Sequence, residues 1–97
     1  MRLRYTRLAL SDLSEVEAFI GLQNPAAAAS VMRRLATAID RLRLFPESGR
    51  RGRVGGTREL VVPDTPFVIA YRVTAGTIDI LAIVHASRRW PSAFRPD

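Results

Sequence analysis

Phe45-Pro46-Glu47-Ser48-Gly49-Arg50-Arg51-Gly52-Arg53-Val54-Gly55-Gly56-Thr57-Arg58-Glu59-Leu60-Val61-Val62 is the stretch whose reading governs the rest of this chain. It closes a long amphipathic helix near Pro46, crosses a loop of glycine and arginine, and enters a strand at Arg58. Four arginines and four glycines fall between Gly49 and Arg58, with no acid among them. A segment so charged and so pliable is poorly suited to a core. It suits a surface that meets something negative.

Upstream of this stretch the spacing predicts a helical hairpin. Asn24-Pro25 is a helix start, with Asn as the cap and Pro at the first helical position, where its missing N–H costs nothing. Ala28, Met32, Leu35, Ile39 and Leu42 then recur at steps of four and three, and the helix is expected to reach about Phe45. An earlier helix is expected from Ser11 or Asp12, with Asp12 and Glu15 as a capping box and Leu13, Val16, Phe19 and Ile20 as its apolar stripe. Gly21 to Asn24 closes it. Before it, Arg2 to Thr6 alternates polar and apolar, as a strand with one buried face does.

Downstream lie three more strands. Arg58 to Val62 ends at Pro63, Phe67 to Val73 follows, and Thr77 to His85 is joined to it by a short turn at Thr74-Ala75-Gly76. The last strand is apolar on both faces for most of its length and is expected to be central. Leu81, Ile83 and His85 are expected to share a face. The reading is an α+β fold with the order β-α-α-β-β-β. The helical hairpin covers one face of a mostly antiparallel four-stranded sheet, and the other face is left as an arginine-lined hollow. Residues 1–97 are read as a single domain, with a tail from about 87 to 97 anchored by Trp90 and Phe94.

Composition narrows the chemistry. The chain has 97 residues, a formal net charge of +6 and an apolar fraction of 47%. At this length about 60–65% of the unfolded surface is buried, enough for one core. All fifteen basic residues are arginine, and there is no cysteine. Thiolate metal sites, disulfides and cysteine nucleophiles are thereby excluded. With a single histidine and no suitable cluster of carboxylates, neither a metal site nor a cofactor is expected. The glycine loop lacks the Lys-Ser/Thr ending of a phosphate-binding loop, and no serine stands in a nucleophile elbow. No membrane-spanning run or secretory signal is seen, which sets the expected location in the cytoplasm.

The residues that carry charge or proton chemistry are few. Arg58, beside the glycine loop, either makes an edge ion pair with Glu59 or Glu47 or holds a phosphate. His85, the one histidine, is either structural or an acid–base group. Arg88, Arg89 and Trp90 could bind nucleic acid by charge and stacking, although packing of Trp90 on the core is the plainer reading. Arg50, Arg51 and Arg53 are either a solvated loop or a contact surface for an anionic target.

Together these pieces resemble the RelE/ParE superfamily of bacterial toxins from type II toxin–antitoxin modules. The matching segments are Ala9-Leu10-Ser11-Asp12-Leu13, Asn24-Pro25-Ala26-Ala27-Ala28, Phe45-Pro46-Glu47-Ser48-Gly49-Arg50, Gly56-Thr57-Arg58-Glu59-Leu60-Val61-Val62, Ile69-Ala70-Tyr71-Arg72-Val73, and Ile78-Asp79-Ile80-Leu81 running into His85. Their order and spacing carry the likeness, which spans nearly the whole chain. The resemblance implies a growth-arresting toxin held by an antitoxin in a hetero-oligomer. RelE-like members cut messenger RNA on the ribosome, whereas ParE-like members bind DNA gyrase. For a ribonuclease it implies Arg58 on the phosphate, His85 as acid–base group and Arg88 as charge support. For target binding it leaves Arg50, Arg51, Arg53, Arg89 and Trp90. The lysines of RelE-type members are missing, and no tyrosine follows Tyr71. The acid–base set is therefore incomplete and the balance favours the ParE-like side. A degenerate module that only pairs with its antitoxin is a third possibility.

Overall fold

In the computed structural model, which describes residues 1–94, the chain runs β1 (Arg2–Tyr5), α1 (Arg7–Gln23), α2 (Pro25–Arg41), β2 (Arg50–Arg51), β3 (Arg58–Val61), β4 (Phe67–Thr74) and β5 (Thr77–His85). The five strands lie in the order β1-β5-β4-β3-β2. Only β1 and β5 are parallel; the other pairs are antiparallel. The α+β class, the helical hairpin and the central last strand agree with the sequence reading. The strand count does not. The glycine–arginine loop makes a fifth strand of two residues, because Arg50 and Arg51 pair with Glu59 and Arg58.

The first helix begins earlier than its acids suggest. Thr6, not Ser11 or Asp12, is the cap: its Oγ1 accepts from the N–H of Ala9 at 3.1 Å and donates to the carbonyl of Leu81 at 2.8 Å. One buried hydroxyl thus starts α1 and ties it to β5. Asp12 is consequently a turn inside the helix, where it accepts the backbone N–H of Ile83 at 2.9 Å. Asn24 caps α2 as expected, accepting from Ala27 at 3.1 Å. That helix ends at Arg41 and not near Phe45. Its last turn tightens to three-residue bonds, Leu42 to Ile39, Arg43 to Asp40 and Leu44 to Arg41, since the residue before a proline avoids the helical region.

The helices cover one face of the sheet. Leu35 and Ile39 of the second helix, Leu42 at its C-terminal cap and Ala9 of the first helix bury against Phe67, Ile69, Tyr71, Ile78, Ile80 and Ile83. A bulge between Ala70 and Tyr71 shifts the register against β5. Ile78 and Ile80 therefore share the helical face with Ile83 and His85, and Leu81 does not. A simple even–odd alternation along β5 fails for this reason. The opposite face is also closed: Val68, Ala70, Leu81 and Ala82 are buried without belonging to the helix-side cluster. In place of an open hollow, the sheet has a second apolar layer.

Candidate functional site

The loop after α2 is held from beneath by a tyrosine. Tyr71 is wholly buried, its hydroxyl donating to the carbonyl of Pro46 at 2.8 Å and accepting the N–H of Gly49 at 2.9 Å. A side chain at Gly49 would bring its Cβ to 2.6 Å from that hydroxyl, which accounts for the glycine. Arg58, opposite Tyr71 on β3, adds a second tie. Its Nη1 donates to the carbonyls of Gly49 at 2.9 Å and Glu47 at 3.3 Å. Arg58 therefore pairs with the backbone of the turn, not with the carboxylate of Glu47 or Glu59.

Glu59 does something the sequence reading missed. It follows directly on the acid-free loop, and its side chain is only 2% exposed. Strand alternation sends it to the face away from the helices, where Arg50 stands opposite it. Arg50 donates to Oε1 through Nε and Nη2 at 3.3 and 3.1 Å. Arg53 donates to Oε2 from its backbone N–H at 2.8 Å and from Nε at 3.1 Å. Burial alone pushes this carboxyl up. The hydrogen bonds from Arg53 and Arg50 outweigh it and hold the group below its ordinary value. The other face of the Arg53 guanidinium lies under Trp90, with Cζ 3.7 Å from the ring centroid. Trp90 thus packs onto an arginine of the loop.

The structure accordingly divides the candidate residues into separate places. Arg50 and Arg53 converge on Glu59, and Trp90 stacks on Arg53. Arg51 is paired with Arg58 and shares that residue's side of the sheet. His85 lies opposite Phe67, at the far end of the sheet. Arg58 and His85 share the helical face. They stand on either side of β4 and four residues apart along it, which is about 16 Å between their backbones. His85 meets the ring of Phe67 edge to face at 5.7 Å. Its Nδ1 lies 3.1 Å from the backbone N of Ser87 and 2.8 Å from its Oγ. A backbone N–H can only donate, so Nδ1 accepts and the neutral ring carries its proton on Nε2. Arg88 lines a cavity beside His85, Asp12, Phe19 and Phe67. Arg89 is exposed.

A second feature went unnoticed in the sequence. Between α2 and the β3 edge runs a groove of about 770 Å³. Arg33, Arg34 and Arg41 stand along it, and Phe45, Leu60, Val61 and Pro63 supply apolar lining. Phe45 and Val61 remain about half exposed there (54% and 51%). Since β2 pairs only with Arg58 and Glu59, the Leu60–Val61 edge of the sheet has no strand beside it among the described residues. The polar stripe of α2 was visible in the sequence, but its position beside an open strand edge was not. No helix among the described residues is long and apolar enough to cross a membrane.

Comparison with known proteins places these features in a family. Residues 3–90 match the model of the ParE toxin of type II toxin–antitoxin systems, parDE. Y4kP of Sinorhizobium fredii, which carries the name of a candidate toxin, is 46% identical over 90 residues, 93% of each chain. Toxin RelE2 of Caulobacter vibrioides is 43% identical over 84 residues, 87% of this chain and 93% of that one. A solved structure of a chromosomal ParDE toxin–antitoxin system from P. aeruginosa superposes with a TM-score of 0.80 at 27% identity, covering 88% of this chain and 95% of that one. A family match over almost the whole length, with the same fold in a solved relative, makes this chain a member of the ParE toxin family within the RelE/ParE superfamily.

Proposed function

We propose that this chain is the toxin of a type II toxin–antitoxin pair, that it arrests growth by binding and inhibiting DNA gyrase, and that a cognate antitoxin neutralises it in a hetero-oligomer. The proposed site of action is the cytoplasm. The observation that favours a binding mechanism over catalysis is the separation of Arg58 from His85. Cleavage of RNA at a 2′-hydroxyl needs a phosphate-holding cation and an acid–base group converging on one phosphate, each within hydrogen-bond reach of it. With about 16 Å between their backbones, the two side chains could share one phosphate only by reaching toward each other. Arg58 is also engaged by two carbonyls, and the accepting nitrogen of His85 is turned toward Ser87. The exposed flanks of Arg50 and Arg53 instead offer a fixed cationic surface of the kind that meets a protein partner.

The antitoxin is proposed to lie in the groove along α2. Arginines above an apolar floor suit an acidic amphipathic segment, and the open Leu60–Val61 edge suits an added strand. Raised salt should weaken that complex.

The RelE-like reading has one observation in its favour, the 43% identity to a protein named Toxin RelE2. Expression of the chain in cells separates the readings. Gyrase binding gives cleaved DNA covalently linked to gyrase, and message remains intact on ribosomes. Message cut on ribosomes, lost in Arg58→Ala and His85→Gln, would overturn the proposal in favour of the nuclease. Normal growth on expression would favour an inert antitoxin-binding module.

A further inference from the structure

We propose that the segment after β5, residues 86–94, is a strap latched to the arginine loop by Trp90 on Arg53, and that an acidic protein segment reaching Arg53 opens it. The strap does not depend on which cellular target the chain has. Two layers of contact build the latch. Glu59 fixes the Arg53 guanidinium in plane through Nε, and the indole of Trp90 lies over its face at 3.7 Å. The strands beneath carry Val68, Ala70, Leu81 and Ala82, all buried on the side away from the helices.

Two contributions at the latch oppose one another. Attraction between the guanidinium and the indole face favours closure. Against it, Nε1 of Trp90 is buried without a hydrogen-bond partner among the described residues. The cost of an unpaired N–H is of the same order as the cation–π attraction. Opening returns that N–H to water. Meanwhile the Arg53 side chain remains 49% exposed, so an incoming group can reach it without first displacing the tail. A carboxylate is the group this loop already recognises, since Glu59 engages both Arg50 and Arg53. A second carboxylate docking on Arg53 offsets its charge, weakens the attraction to the indole, and tips the strap open.

Trp90 is the only tryptophan, so its fluorescence reads the latch directly in the full chain. In the closed chain its emission is blue-shifted and protected from acrylamide. Arg53→Ala should shift emission to the red and raise quenching toward that of free indole. Arg51→Ala, on the other side of the sheet, should leave both unchanged. Titration of the wild-type chain with an oligoglutamate peptide should produce the same red shift, saturably, with native circular dichroism retained. Emission of the unliganded wild-type chain at the free-indole position would overturn the latch, as would an unshifted spectrum in folded Arg53→Ala. If Arg53→Ala does not fold, the peptide titration decides alone: saturable binding with no spectral change refutes the opening. Opening by a single-stranded oligonucleotide but not by the peptide would refute the choice of an acidic protein as the partner.

Discussion

Replacing Tyr71 with Phe removes one oxygen and nothing else from the core, and the structure assigns that oxygen two jobs. It accepts from Gly49 and donates to Pro46, both in the turn that connects α2 to the arginine loop. Each hydrogen bond contributes about 1 kcal/mol net, and a buried N–H left without a partner adds a further penalty of similar size. Release of the hydroxyl from its own desolvation offsets part of this. The expected loss is about 2 kcal/mol, with a range of about 1–3. For a domain of this size that lowers the melting temperature by about 8–16 °C. Urea denaturation followed by circular dichroism would measure it, with an unchanged slope to show that the folded state keeps its compactness. The variant should also loosen the turn, which hydrogen exchange at Gly49 would register. A loss below about 0.5 kcal/mol, the size of a routine surface change, would refute the claim that Tyr71 pins the loop.

Further expectations concern the carboxylates and the caps. Glu59→Gln should destabilise the chain by about 2 kcal/mol at neutral pH, less than for a fully buried pair because both arginine partners are half exposed. The Glu59 carboxyl is held below its ordinary 4.5, so its stabilising contribution is present above pH 4.5 and is lost as the pH falls through the lower folded value; Glu59→Gln should abolish that part of the acid-side loss in a melting series. Asp12 has the opposite sign: desolvation raises its carboxyl above 3.8 despite the bond from Ile83, so the stability present below pH 3.8 is lost as the pH rises through the folded value. Asp12→Asn keeps an acceptor for Ile83 and should gain on the wild type progressively above pH 3.8. Thr6→Ala should cost about 2 kcal/mol, against about 1 for Asn24→Ala, because Thr6 also satisfies the buried carbonyl of Leu81 while Asn24 caps an exposed helix end. Equal losses in a chemical denaturation series would contradict that difference.

Local signals made most of the fold legible. Asn24-Pro25 marked the hairpin corner, the four–three spacing from Ala28 to Leu42 marked the buried stripe, and Gly76 (φ 74°) marked the tight turn between β4 and β5. What escaped depends on contacts between distant residues. Asp12 followed by Glu15 looks like a capping box, but Thr6 wins because its hydroxyl reaches Leu81, 75 positions away. The bulge opposite Ala70 and Tyr71 has no sequence signature and turns the alternation of β5 by one residue. Arg50, Arg53 and Trp90 were singled out as candidates, yet Glu59, which holds the two arginines, was read as a neighbour of Arg58. In an extended strand adjacent residues face opposite ways, so Glu59 belongs with Arg50 across the ladder. The groove beside α2 could not be seen because it exists only where that helix meets the β3 edge.

The most direct test of the central claim is a supercoiling assay with purified gyrase, relaxed plasmid and ATP, titrated with this chain. The account predicts concentration-dependent loss of supercoiling, reversed by the cognate antitoxin and retained in His85→Gln. Full supercoiling at a large molar excess of folded toxin would contradict it.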